Sequence, residues 1–193
     1  SRTVRIELVT FVGLTFETRA SASPWISSVW TCRSEDVASM TAVASETWGL
    51  VFWRERGLAQ AAVVGPESRT ANAPVPEEAD FVGIQFAVGT SLRMIDTAAL
   101  VDGGIELPDT TADRFWLDGH RWPTPSADDA ELLVDRLVRA GVVVRDPLVA
   151  AVLGGRSPDV SSRTVERRFR AATGLTRRAI AQIERVRSAA TAL

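Results

Sequence analysis

Arg163, Glu166, Arg167 and Arg170 sit three, one and three residues apart in the stretch SSRTVERRFRAATG, from Ser161 to Gly174. On a helix turning 100° per residue, these four charged groups fall within about 100° of one another. Val165, Phe169 and Ala172 fall within about 60° on the opposite side. A helix divided in this way has one stripe that must face a core and one arginine-rich face left outward. Guanidinium groups in such a row suit phosphate and guanine, because each donates a planar pair of hydrogen bonds and the DNA major groove admits one helix. Ser162 is placed to cap the helix, and Gly174 to end it, with Leu175 folding back over the stripe. The same residues also fit a merely solvated surface in which Glu166 and Arg170 pair at i,i+4.

Catalytic chemistry finds less to work with. The metal sites of small barrel oxygenases and isomerases need two or three histidines with a carboxylate, and this chain has one histidine, His120, in DGHRWP. Nucleophile-elbow and Walker patterns are both missing from the sequence. No enzymatic activity, metal or cofactor is therefore expected. The single cysteine, Cys32, cannot form an internal disulfide and reads as a buried thiol in a reducing compartment. Six tryptophans offer a different chemistry, since indoles line apolar ligand pockets as readily as they fill cores. Trp30, Trp48 and Trp53 fall in strand-like stretches and are the candidate pocket residues.

The 193 residues carry a net charge of −2 that hides a division. Residues 1–155 hold 13 arginines against 21 acids, while residues 156–193 hold 9 arginines against 3 acids. An acidic body with a basic tail segment points to a nucleic-acid partner for the tail, or to a solvated helical surface. No run reaches the roughly 18 apolar residues of a membrane span, so no membrane partner and a cytoplasmic location are expected.

These residues need positioning elements. TVRIELV, WISSVWTC and DFVGIQFAVG read as strands, and WGLVFWRERGLAQAAVVG as two strands around an RERG turn. In DFVGIQFAVG, Val82, Ile84, Phe86 and Val88 share one face, with Gly83, Gln85 and Ala87 on the other. ESRTANAPVPEEAD reads as a loop, TSLRMIDTAAL as a short helix, and GGIELPDTTADRFWLDGHRWPTP as irregular. Ser126 and Asp129 then match a capping box before a helix with Leu133, Leu137 and Ala140 in one stripe. DPLVAAVL, SSRTVERRFRAAT and TRRAIAQIERVRSAATAL read as three further helices, the last with a stripe of Ile180, Ile183, Val186, Ala190 and Leu193. The expectation is an α+β chain, with a small N-terminal β-barrel or sandwich over residues 1–125 and an all-helical region over 126–193.

The run SSRTVERRFRAATGLTRRAIAQIERVRSAATAL resembles the DNA-binding region of AraC/XylS-type transcriptional regulators, which reads Ser-x-Arg-x-Leu-x-Arg-x-Phe, then Gly-Leu and a long linking helix. Ser161, Arg163, Val165, Arg167, Phe169, Gly174 and Leu175 stand at those positions. WGLVFWRERGLAQAAVVGPESR and FVGIQFAVG resemble the sensor domain of one branch of that family. The resemblance implies that Arg163, Glu166, Arg167 and Arg170 face the groove, and that Ser161 and Ser162 cap the helix and touch phosphate. It implies double-stranded operator DNA as partner, with a small-molecule effector and a homodimer as further partners. GGRSPDV is longer than the family's helix–turn–helix turn, and the chain stops at Leu193, where the family's second reading unit would follow. A partial DNA-binding region is thus expected, with a ligand- or protein-binding module that does not bind DNA as the alternative. The opposite charges of the two parts further suggest that the acidic part lies over the arginine helix and masks it.

Overall fold

The computed structural model describes residues 6–11 and 13–191, with side chains for 13–189. Its strands are β1 (Ile6–Phe11), β2 (Leu14–Ala20), β3 (Ile26–Ser34), β4 (Ser39–Ala42), β5 (Gly49–Glu55), β6 (Leu58–Val64), β7 (Ala71–Pro74) and β8 (Ala79–Phe86). There follow β9 (Thr90–Leu92), a 3₁₀ turn at Thr97–Leu100, β10 (Gly104–Glu106), β11 (Arg114–Leu117) and β12 (His120–Pro123). The remainder is α1 (Ala130–Arg139), β13 (Val143–Arg145), α2 (Pro147–Leu153), α3 (Ser162–Thr173) and α4 (Arg177–Thr191).

Seven strands form one sheet in the order β1-β2-β3-β8-β5-β6-β10, each neighbouring pair antiparallel. The mixed α+β class and the β-rich N-terminal part hold; of the barrel or sandwich expected there, a closed barrel does not form among the described residues, since β1 and β10 end the sheet and pair with different neighbours. Two-stranded ribbons β4-β7, β9-β13 and β11-β12 complete the topology. Closure would require long matched edge strands, and β10 is three residues long.

Alternation decides the two faces of the sheet. Val29, Leu50, Phe52, Ala61, Val63, Ile84 and Phe86 are buried in one cluster with Phe115 and Leu117 of the β11-β12 ribbon and Leu133, Val134 and Leu137 of α1. Phe86 stacks on Trp48 at 4.0 Å, and Phe52 meets Phe115 edge-on at 5.0 Å. A bulge at Ile26/Ser28 in β3 inserts one residue and turns Ile26 into the same core as Val29. On the opposite face, Trp30, Val51, Phe81 and Gln85 look towards the β4-β7 ribbon.

Two segments differ from the sequence reading. The loop over Glu67–Asp80 contains β7, whose residues carry no apolar pattern and are ordered by pairing with β4. TSLRMIDTAAL forms β9 and the 3₁₀ turn rather than a helix, and residues 103–125 contain β10 and the β11-β12 hairpin. That hairpin turns at Asp118-Gly119, with φ of 52° and 72°, as the β5-β6 hairpin turns at Arg56-Gly57, with φ of 48° and 79°. Both are two-residue left-handed turns that suit the twist of paired strands.

Helix α1 packs on the sheet rather than with α2–α4, and the two apolar clusters part near Asp146. Ala140, expected in its stripe, is exposed. Arg19 of β2 fastens the helix, its Nη1 and Nη2 lying 2.6 and 2.8 Å from the Glu131 carboxylate, with Ser21 Oγ donating at 2.7 Å. The hydrogen bonds from Arg19 pull the Glu131 carboxyl from its ordinary 4.5 down to about 2, against the opposing effect of burial. Because the folded value lies below the unfolded one, this stabilisation is present above pH 4.5 and drains away as pH falls towards 2. Discounted for partial exposure, Glu131 should contribute about 2 kcal/mol at neutral pH. Glu131→Gln should therefore flatten the acid limb of a stability-versus-pH curve between pH 5 and 2, and an unchanged slope would show the pair to be idle.

Candidate nucleic-acid interface and ligand groove

Helix α3 is built as its residues dictate. The cap is Ser161, whose Oγ accepts the Thr164 N–H at 3.2 Å, and Ser162 is the first helical residue rather than the cap. At the far end Gly174 takes φ 75° and its N–H reaches Arg170 O at 2.8 Å. A side chain there would meet Val101 and the Thr97 carbonyl, so glycine serves both the turn and a close approach. Val165, Phe169 and Ala172 are buried, and Leu175 folds over with them. Phe169, Ala172 and Leu175 form a second cluster with Val149 of α2 and Ile180 and Ile183 of α4, resting on Ala44, Val88 and Val101 of the β-rich part.

All six residues assigned to DNA contact, Ser161, Ser162, Arg163, Glu166, Arg167 and Arg170, are exposed. Glu166 approaches Arg177 at 3.6 Å and not Arg170. Among the described residues Arg163, Arg167 and Arg170 make no ion pair, and no acidic surface lies over them. The masking arrangement suggested by the charges is thus not the one adopted, because α3 meets the β-rich part through its apolar stripe. Sequence reasoning missed Arg168, whose Nε and Nη2 lie 2.9 and 2.8 Å from the Asp146 carboxylate. Asp146 also caps α2, accepting from the Leu148 and Val149 N–H groups at 2.8 and 3.2 Å.

The tryptophans separate. Trp30 lines a groove of about 480 Å³ on the outer face of the sheet, roofed by Met40, Ala42 and Pro74 of the β4-β7 ribbon. Its indole lies where a Cβ on Gly83 would be, 1.9 Å from Cε2, so only glycine in β8 leaves room for it. Trp48 is core instead, 3% exposed, with Nε1 donating to Thr90 O at 2.9 Å. Trp53 stacks on Phe81 at 6.2 Å and borders a smaller cleft of about 220 Å³. The strand alternation that puts Leu50 and Phe52 in the core also explains why Trp48 and Trp53 part company, the former lying beyond the strand end.

One end of the groove is polar. Ser45 Oγ and Thr47 Oγ1 are 3.0 Å apart, and Thr47 lies 3.5 Å from Gln85 Oε1. Half-buried Glu67 stands beside them, its carboxyl pushed up by burial and by neighbouring Asp102. Cys32 also lines the groove, and burial pushes its thiol up to about 11, so it stays protonated at neutral pH. Segment 43–47 has two sides. Ser45 and Thr47 face the groove, while Ala44 packs in the helical cluster and buried Glu46 pairs with Arg187 of α4. Val43 borders both the groove and a crevice of about 390 Å³ beneath Ile183 and Val186.

No group of three or more His, Cys, Asp or Glu among the described residues could hold a metal. His120 is exposed, with Nδ1 2.8 Å from Asp118 O. Among the described residues no helix is long and apolar enough to cross a membrane. No protein-family model, curated protein or solved structure matches the chain.

Proposed function

We propose that the protein is a DNA-binding transcriptional regulator of the AraC type, acting in the cytoplasm, with α3 as its reading helix and the β-rich part as a small-molecule sensor. The observation that carries this reading is the division of α3. Its apolar stripe is anchored, and three arginines with no ion pair among the described residues project from the opposite side between a serine cap and a left-handed glycine. Ser161, Ser162 and the first turn of the helix would meet phosphate, and Arg163, Arg167 and Arg170 the base edges. A bound effector shifts DNA affinity by the difference between its affinities for two arrangements of the parts, and by no more. Segment 43–47 offers a route, since its residues touch the groove on one side and α4 on the other.

Two copies would read two half-sites, and half-exposed α4 residues such as Val186, 63% exposed, offer apolar surface for pairing. Of the remaining α4 stripe, Ile180 and Ile183 are buried, while Ala190 and Leu193 lie outside the residues whose side chains are described. The groove supports the alternative of a ligand-binding module without DNA affinity.

The deciding measurement is fluorescence anisotropy of a labelled duplex from upstream of the protein's own reading frame, titrated across salt. Binding should weaken with a log–log slope of about −0.9 per phosphate contacted. Arg167→Ala should reduce specific affinity by about 1–3 kcal/mol, the usual worth of a bidentate base contact. An equal affinity for the substituted chain would remove Arg167 as a reader, and no binding by this chain or by any longer product of the same frame would leave the ligand-binding module.

A further inference from the structure

We infer that the groove takes a largely apolar molecule carrying one cationic amine-type group, with Glu67 as its counter-charge. This rests on reading the β-rich part as a sensor and is independent of whether α3 binds DNA.

The walls set the apolar requirement. Phe16, Trp30 and Phe81 present aromatic surface, and Met40, Val51 and Val75 complete a channel of about 480 Å³. That volume falls within the usual range for small-molecule sites, roughly 300–1,000 Å³. Ser45, Thr47 and Gln85 form a hydrogen-bonded group, with Glu67 bridged to Ser45 through the backbone, so a ligand would be fixed there and held by dispersion against the aromatic walls.

The charge requirement comes from what the lining contains. Among the described residues the lining has no arginine and no histidine, and Glu67 is its one carboxylate. An anionic ligand would meet a carboxylate with nothing to offset it. Among the described residues the Glu67 side chain has neither a hydrogen-bond donor nor an ion pair, whereas neighbouring Asp102 is satisfied by the Ser68 N–H at 2.7 Å and the Ser68 hydroxyl at 2.6 Å. Arg69 acts on Asp102 from exposed surface and does not line the groove. Burial and the Asp102 charge both disfavour ionised Glu67 in the empty groove. An ammonium group there would reverse that imbalance, and the flanking hydroxyls and the Gln85 amide oxygen would accept its remaining protons.

Three probes with one ring and different charges test this: 1-naphthylmethylamine, 1-naphthalenemethanol and 1-naphthoate, titrated by calorimetry into the full chain at neutral pH. The amine should bind about tenfold more tightly than the alcohol, and the carboxylate most weakly, as expected for one partly buried charge contact. Glu67→Gln should bring amine and alcohol to within about twofold of each other at an unchanged thermal midpoint. Thr18→Trp, at a half-exposed groove wall, should weaken all three probes together. Amine binding no tighter than the alcohol, a preference that survives Glu67→Gln, or no binding by any probe at millimolar concentration would each overturn the proposal. None of these results bears on duplex binding, which the anisotropy titration reads separately.

Discussion

Phe86→Ala should lower the unfolding free energy by about 3–5 kcal/mol, the usual cost of a large-to-small change in a packed core. The ring is fully buried and stacked on Trp48 with planes only 2° apart, so its removal strips one face of a second large side chain as well. Few small movements could refill the space, because Phe86 ends the central strand β8, held on one side by Ile26 of β3 and through its own N–H by Trp48 O at 3.0 Å. Urea unfolding followed by tryptophan fluorescence reads the loss directly. Phe86→Leu should lose about half as much, since most of the apolar volume is kept. A loss below about 1 kcal/mol for the alanine variant would mean that the Trp48–Phe86 stack does not organise this core.

Gly65→Ala is expected to cost about 3 kcal/mol, unusually high for adding one methyl group. The new Cβ would lie 1.8 Å from Leu100 O and 2.3 Å from its carbonyl carbon. Those are backbone atoms, and Gly65 is itself held by its N–H to Gly103 O at 2.9 Å, so neither side can yield by rotating a side chain. The clash falls on the 3₁₀ turn at Thr97–Leu100, against which α3 rests. Hydrogen exchange in α3 and α4 should therefore quicken before exchange in β3 and β8 does. Gly57→Ala is the control: nothing lies within 4 Å, but φ is 79°, so only the backbone preference is lost, about 1 kcal/mol. Equal losses at the two positions would contradict the close contact at Leu100.

Patterns that depend on one segment were readable. The alternation in β8 put Ile84 and Phe86 on the core side and Gly83 and Gln85 on the groove side, and the stripe and closing glycine of α3 needed only residues 161–175, although the cap falls at Ser161 and not at Ser162. What escaped depends on partners far away in the chain. β7 has neither β-branched residues nor alternation, and exists because β4 lies beside it. The Asp118-Gly119 turn and the alternating Phe115 and Leu117 mark a hairpin in a stretch whose prolines and scattered acids otherwise read as irregular. The stripe on α1 predicted burial without saying against what, and the sheet, not the helical region, supplies the partner. The groove was least legible of all, since its walls come from β2, β3, β5, β6, β8 and the ribbon, and only Trp30 of the three candidate tryptophans reaches it.

Asp146 stands alone between the last residue of β13 and the first of α2, bound to both the start of α2 and Arg168 of α3. The arginine helix follows α2 only after residues 154–161, yet Arg168 reaches back to that junction and the apolar stripe of α3 rests on Ala44, Val88 and Val101. A helix on a flexible leash samples many headings and tolerates targets at varied distances; one held to the β-rich part by an apolar stripe and a shared carboxylate has its heading fixed in advance. Whatever surface α3 meets, it meets at an angle set by the strands. Two copies paired through α4 would hold their arginine faces at one separation, and a partner with the wrong spacing would be refused by geometry before any base or phosphate was touched.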